Sequence, residues 1–226
     1  MSTSRARADA SDSGHASLAY NLAGIAVLVL LAAVALAYAI DRAGRPDQPA
    51  MPSLADENPL VQTIAGRELT IPASWFRYGE QMKTGFATQA DLAFVLELAE
   101  DAAPVPVEVT LVPRSRARAS STLLDAVYLH QFAEGTVGGV PGLVGKPLLP
   151  GEGYSGETVW YDALSSHPFV AKCAAPVGED GPERCLRTVH LPSGLAAIIG
   201  FDATALPFWK RFDAELARWL GRIGAL

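Results

Sequence analysis

Cys173 and Cys185, with the histidines, serines and arginines near them, are the residues whose types and spacing could do chemistry. The two cysteines have eleven residues between them, at corresponding places on two extended segments joined by 174–184. If a hairpin pairs them, opposed side chains in an antiparallel ladder come close enough to form a disulfide. A loop of this size closed by a disulfide stabilises a fold by about 2–3 kcal/mol. His167 and His190 complete a set of ligand types that zinc accepts. Strand geometry argues against that use: His167 lies roughly 20 Å from Cys173 along an extended chain, and His190 has the opposite parity from Cys185. The spacing therefore favours a disulfide over two free thiols, and both over a metal.

Asp162, Ser165, Ser166, His167 and the distant His190 include a nucleophile, a base and an orienter. Closeness in sequence is not triad geometry, and 164–168 reads as an ordinary strand connection. His130 reads as a half-exposed helix residue. Gly153-Tyr154-Ser155-Gly156 misses the nucleophile elbow by one residue and reads as a turn. The chain contains no Gly-x-Ser-x-Gly, His-Glu-x-x-His, phosphate-binding glycine loop or Cys-x-x-Cys. No catalytic residue and no cofactor is expected. The alternative is an envelope serine hydrolase using Ser165 or Ser166 with His167 or His190. Arg114, Arg116 and Arg118 alternate between a strand and a helix, and form a candidate anion-binding group for a phosphate, a carboxylate or a lipid headgroup. A solvated loop has the same pattern.

The elements that would position these residues begin with a run of nineteen uncharged residues, Leu22–Ile40. As a helix it spans roughly 28 Å, about the hydrocarbon thickness of a bilayer. Tyr20 and Tyr38 mark its ends. Arg5 and Arg7 before it tie with Arg42 and Arg45 after it, so charge does not set orientation. The short leading tail and the cysteines in the trailing part favour tail inside and domain outside. Ala37-Tyr38-Ala39 offers a signal-peptide cleavage site as the rival reading, against which stands the length of the apolar run. The expected organisation is a short polar cytoplasmic tail (1–17), a transmembrane signal-anchor helix (18–40), a proline-rich tether (41–59) and an extracytoplasmic domain (60–226). The lipid bilayer is thus a partner through 18–40.

The formal net charge is −6, and the stretch from Asp41 onward keeps all of it, because Arg5 and Arg7 cancel Asp9 and Asp12. That balance disfavours nucleic acid as a partner. Residues 60–71 predict two short extended pieces turning at Gly66-Arg67. Alternation predicts strands over 91–98 and 105–112, joined as a hairpin. Ser120, Ser121 or Thr122 can cap a helix over 123–134. The glycine- and proline-rich 136–156 predicts a long loop with one short strand over 143–149. A meander over 157–164, 169–174, 184–191 and 195–201 follows, and Phe208, Phe212, Leu216, Trp219, Leu220 and Ile223 form the inward stripe of a closing helix. The sum is an α+β domain, a mainly antiparallel β-sheet covered by helices and preceded by one transmembrane helix.

The phrase Leu69-Thr70-Ile71-Pro72-Ala73-Ser74-Trp75, together with the closing strand and Trp-bearing helix, resembles the PsbP-like sandwich fold over 60–226. The resemblance implies an accessory or binding module without shared catalytic residues, so it assigns no site. The whole chain also resembles membrane-anchored bacterial envelope proteins. That resemblance implies a location, the inner membrane with a periplasmic domain, and no activity; an envelope protein is a candidate partner.

Overall fold

The computed structural model describes residues 12–44, 51–151, 156–175, 181 and 183–226. The chain divides into two compact units, Met1–Pro49 and Ala50–Leu226. The first holds one helix, α1 (Asp12–Gly44), so helical backbone begins inside the stretch expected to be a polar tail and continues into the expected tether. Residues 1–11 and 45–50 lie outside the described residues. Within α1, Leu22–Ile40 is long and apolar enough to cross a membrane, with a mean hydropathy of 2.7 and every side chain exposed.

The second unit opens with a hairpin of β1 (Pro59–Ile64) and β2 (Arg67–Pro72). Ile64 pairs with Arg67, so the turn falls at Ala65-Gly66, one residue earlier than the sequence suggests. Both turn residues have positive φ, 51° and 80°, as a two-residue turn matched to strand twist requires. A two-residue strand, β3 (Gly85–Phe86), joins β1 in parallel and completes a small sheet of order β2-β1-β3.

The remaining strands build one larger sheet. They are β4 (Ala90–Leu96), β5 (Val105–Pro113), β6 (Val144–Pro147), β7 (Glu157–Tyr161), β8 (Val170–Ala174), β9 (Arg184–His190) and β10 (Leu195–Asp202). Their order is β4-β5-β10-β9-β8-β7-β6, with every pairing antiparallel. The domain is α+β with mostly antiparallel sheets.

Period-two alternation puts Leu92, Phe94 and Leu96 of β4, Val107 and Val109 of β5, and Ile199 and Phe201 of β10 into the main core. The hairpin contributes Ile64, Leu69 and Ile71 to that core, and the closing helix α3 (Trp209–Arg222) contributes Phe212, Leu216, Trp219 and Leu220. At its centre the Phe94 ring stacks on Trp219 at 4.4 Å, and Trp75 tilts against both. A smaller core of Leu124, Tyr128, Leu148, Val159 and Val170 involves α2 (Ser120–Ala126). On the main-core side, Gly145 of β6 permits a close approach, since a Cβ would stand 2.8 Å from the Trp160 ring and from the Val137 carbonyl.

The middle helix is shorter than the period of its apolar residues suggests. α2 stops at Ala126, and a 3-10 turn (Tyr128–His130) replaces its expected second half. Three tertiary bonds flank the segment. The helix opens at Ser120, three residues before the expected start, and the Ser120 hydroxyl accepts the Thr188 backbone N–H at 2.8 Å. Beyond the turn, the Gln131 carbonyl accepts from Leu149 and the Ala133 N–H donates to Pro147, so Phe132 bridges to Leu148 at the end of β6.

Residues 51–58 also depart from expectation. They fall within the expected tether, yet they form a strap bound to the domain. The Trp75 indole N–H donates to the Ser53 carbonyl at 3.1 Å, Arg222 donates to the Leu54 carbonyl, and Asp56 accepts from Ser74 and from the Ser53 N–H. Leu54 packs against the main core. Trp75, Ser74 and Arg222 come from outside the segment, which a local composition reading does not see.

Candidate functional site

Cys173 on β8 and Cys185 on β9 are directly opposed and joined by a disulfide, with both side chains in the main core. Beside Cys185, Arg184 enters a chain of ion pairs on the other face of the sheet. Arg77 contacts Glu108 at 3.1 Å, Arg184 contacts Glu108 at 3.6 Å, and Arg184 reaches Asp202 at 2.6 Å. Two guanidiniums meet two carboxylates in this strip, so its charge is spent internally and its exposed pairs contribute little stability.

The serine and histidine candidates separate into two places. Ser166 Oγ lies 3.2 Å from His167 Nδ1, and Ser165 Oγ accepts the His167 backbone N–H. The Asp162 carboxylate accepts the Leu164 N–H and is not bonded to the His167 ring. His190 Nε2 donates to the Ala117 carbonyl at 2.8 Å. Ser165, Ser166, His167 and His190 are all exposed. The Ser166–His167 contact therefore joins adjacent residues on an open loop, and the base has no orienting carboxylate among the described residues. His130 ends the 3-10 turn, exposed, and the turn expected at 153–156 falls mostly outside the described residues.

Arg114, Arg116 and Arg118 are exposed around a 3-10 turn (Arg114–Arg116). Arg114 is committed to the Leu191 carbonyl at 3.0 Å, which fixes the β9–β10 connection. Among the described residues no three histidine, cysteine or acidic side chains group as metal ligands.

The most developed polar arrangement was not visible in sequence. Asp91, buried on β4, accepts hydrogen bonds from Gln81 at 2.6 Å, Gln89 at 2.7 Å and Thr110 at 2.5 Å, while its backbone N–H donates to the Gln81 side-chain oxygen. Burial pushes the Asp91 carboxyl up. The hydrogen bonds from Thr110, Gln81 and Gln89 and the nearby charge on Arg77 outweigh burial and hold it below the ordinary aspartate range. Gln62 on β1 donates both amide hydrogens, to the carbonyls of Gln81 at 2.6 Å and Lys83 at 2.9 Å. Together these bonds fix the segment 79–83 against the two sheets. They also frame a cleft of about 310 Å³ lined by Gln62, Gln81, Lys83, Phe86, Thr88 and Gln89, among others. The available signal was Gln62 itself, a polar residue in the same inward phase as Leu60 and Ile64.

A second buried charge positions α3. The Arg187 guanidinium lies 4.2 Å over the Phe169 ring and donates to Asp213 at 2.6 Å and to the Val170 carbonyl. Burial lowers its pKa from the usual arginine value, and the Asp213 carboxylate opposes that shift.

The fold and these sites define a disulfide-bonded α+β domain. No family model matches the chain, and no curated protein matches it. Among solved structures it is similar to an immunity protein of the Stenotrophomonas maltophilia type IV secretion system. That similarity has a TM-score of 0.48 at 11% identity, over 73% of this chain and 92% of the other.

Proposed function

We propose that this chain is a single-pass protein of the bacterial cytoplasmic membrane that holds its α+β domain in the periplasm as a non-catalytic binding or assembly module. The observation that carries the reading is the buried Cys173–Cys185 disulfide in a domain that follows an apolar helix. Disulfides persist in oxidising compartments, and a helix exposing nineteen apolar residues belongs in lipid. The non-catalytic part is supported by the open, two-membered Ser166–His167 contact and by the spent charge of the arginine and carboxylate strip. The finer fold reading, a PsbP-like sandwich, is supported by the burial of Trp75 and Trp219 in one core with β4.

The test of placement uses Leu164, which is 98% exposed on a loop. A Leu164→Cys variant should react with a membrane-impermeant maleimide in intact spheroplasts, while Cys173 and Cys185 stay unmodified until reduced and denatured. Labelling of position 164 only after lysis refutes the periplasmic placement.

A further inference from the structure

β4 is an outermost strand of the large sheet, with β5 as its one neighbour, and its two halves differ along the outer edge. Asp91 turns its backbone away from β5: its carbonyl accepts from the Arg77 N–H, its N–H donates to Gln81, and Phe76 bridges to Leu92. Period two gives Val95 the same outward phase. Its register agrees, because Val95 stands opposite Pro106, which has no N–H to exchange with it. Past the Phe76 bridge, no strand pairs with this edge among the described residues. Residues 93–96 are Ala, Phe, Val and Leu in unbroken register, without the lysine, proline or bulge that commonly guards an edge.

The unpaired stretch opens on a cleft of about 320 Å³ lined by the strap residues Met51 and Leu54, by Val95 and Glu97, and by Trp219 of α3. Two further lining residues, Arg218 and Glu215, are bonded to each other at 2.6 Å, which leaves Glu97 as the surplus charge. Glu100 and Asp101 follow in the next turn. All three acids are exposed, and none is in an ion pair among the described residues.

We infer that a basic, extended segment of a partner protein adds to the outer edge of β4 at 93–97. Its backbone pairs with the outward N–H and carbonyl of Val95, and its side chains alternate between the two faces. Apolar side chains on the α3 side enter the cleft beside Trp219, Met51 and Leu54. Glu97 has the opposite phase to the buried Leu96 and Leu98, so lysine or arginine on the other face meets it, with Glu100 and Asp101 adding to the attraction. A second copy of this chain fits less well, since it brings the same surplus of acid, a net charge of −6, to the edge.

The assignment rests on the binding-module reading and specifies the partner's chemistry. Its test reads binding by purified protein, so a negative result leaves the membrane placement intact. Full-length protein in an uncharged detergent is titrated by fluorescence anisotropy with labelled Lys-Val-Lys-Leu-Lys-Val-Lys and Glu-Val-Glu-Leu-Glu-Val-Glu peptides. The lysine peptide should bind with a Kd below about 1 mM, and the glutamate peptide about tenfold more weakly or worse. Strand addition uses every second amide, so N-methylation of one alternate set in the lysine peptide should abolish binding, and of the other set should change it less than about twofold. Val95→Pro removes the outward N–H at a place where an edge strand tolerates proline, and should weaken binding about fivefold or more. Glu97→Lys, which leaves the backbone intact, should weaken it about threefold or more. Failure of the lysine peptide to bind, equal binding of the two peptides, or indifference to which amides are methylated overturns the inference. Self-association that Val95→Pro abolishes, without peptide binding, overturns it in favour of a second copy.

Discussion

Reducing the Cys173–Cys185 bond should lower the stability of the domain by about 3 kcal/mol. The bond closes a loop with a sequence separation of 12, and the conformational entropy it removes from the unfolded chain gives about that figure. For a domain of this size a urea dependence of about 2 kcal/mol/M is expected, so the midpoint should fall by about 1.5 M, and thermal unfolding by about 8 °C. Tryptophan fluorescence is the suitable probe: Trp75, Trp160, Trp209 and Trp219 all lie in the second unit, so α1 is silent. A Cys173→Ala, Cys185→Ala double variant should fall near the reduced protein, within about 1 kcal/mol, since little volume is removed. A midpoint that moves by less than about 0.3 M on reduction would refute the chain-entropy reasoning. Complete unfolding on reduction would refute it from the other side, by showing that the bond organises the hairpin.

Asp91→Asn should cost about 2–3 kcal/mol at neutral pH through loss of charge-assisted hydrogen bonds. The native carboxyl is held below its ordinary value, so its stabilisation is present above about pH 4 and is lost as pH falls through the native value; urea midpoints of wild type and variant should converge in acid, and a constant gap would contradict the assignment. Asp213→Ala should destabilise more than Arg187→Met, because the first strands a buried guanidinium while the second removes the charge and keeps the stem. Asp213 is half exposed, so the expected loss for its alanine variant is about 1–2 kcal/mol rather than that of a fully buried pair, and equal losses in thermal melts of the two variants would argue against a buried, paired Arg187.

What the sequence shows of this fold follows from period. The alternation of Leu92, Phe94 and Leu96 and the three- and four-residue steps of Phe212, Leu216, Trp219 and Leu220 repeat often enough to fix both element type and buried face. The helix over 123–134 fails because its boundaries are set from outside: it opens early, at Ser120, where the hydroxyl holds Thr188, and the chain at the end of β6 takes the backbone of 131–133. The candidate cleft was hidden for a similar reason. Gln62, Gln81 and Asp91 stand far apart in sequence, each ordinary alone, and their relation exists once β1 and β4 have been brought into separate sheets that share the segment between them.

The strap has a mechanical consequence. Its carbonyls are gripped by Trp75 at the end of the small hairpin and by Arg222 on the last turn of α3, and the chain after α3 is stitched back to β2 through Arg67 and Thr70. A pull exerted between residue 51 and the closing helix therefore runs through a few side-chain bonds at one margin of the domain. The seven-stranded ladder lies outside that path. Under tension the strap is the first part to yield, and the sheet keeps its register while the domain gains the length of the released segment.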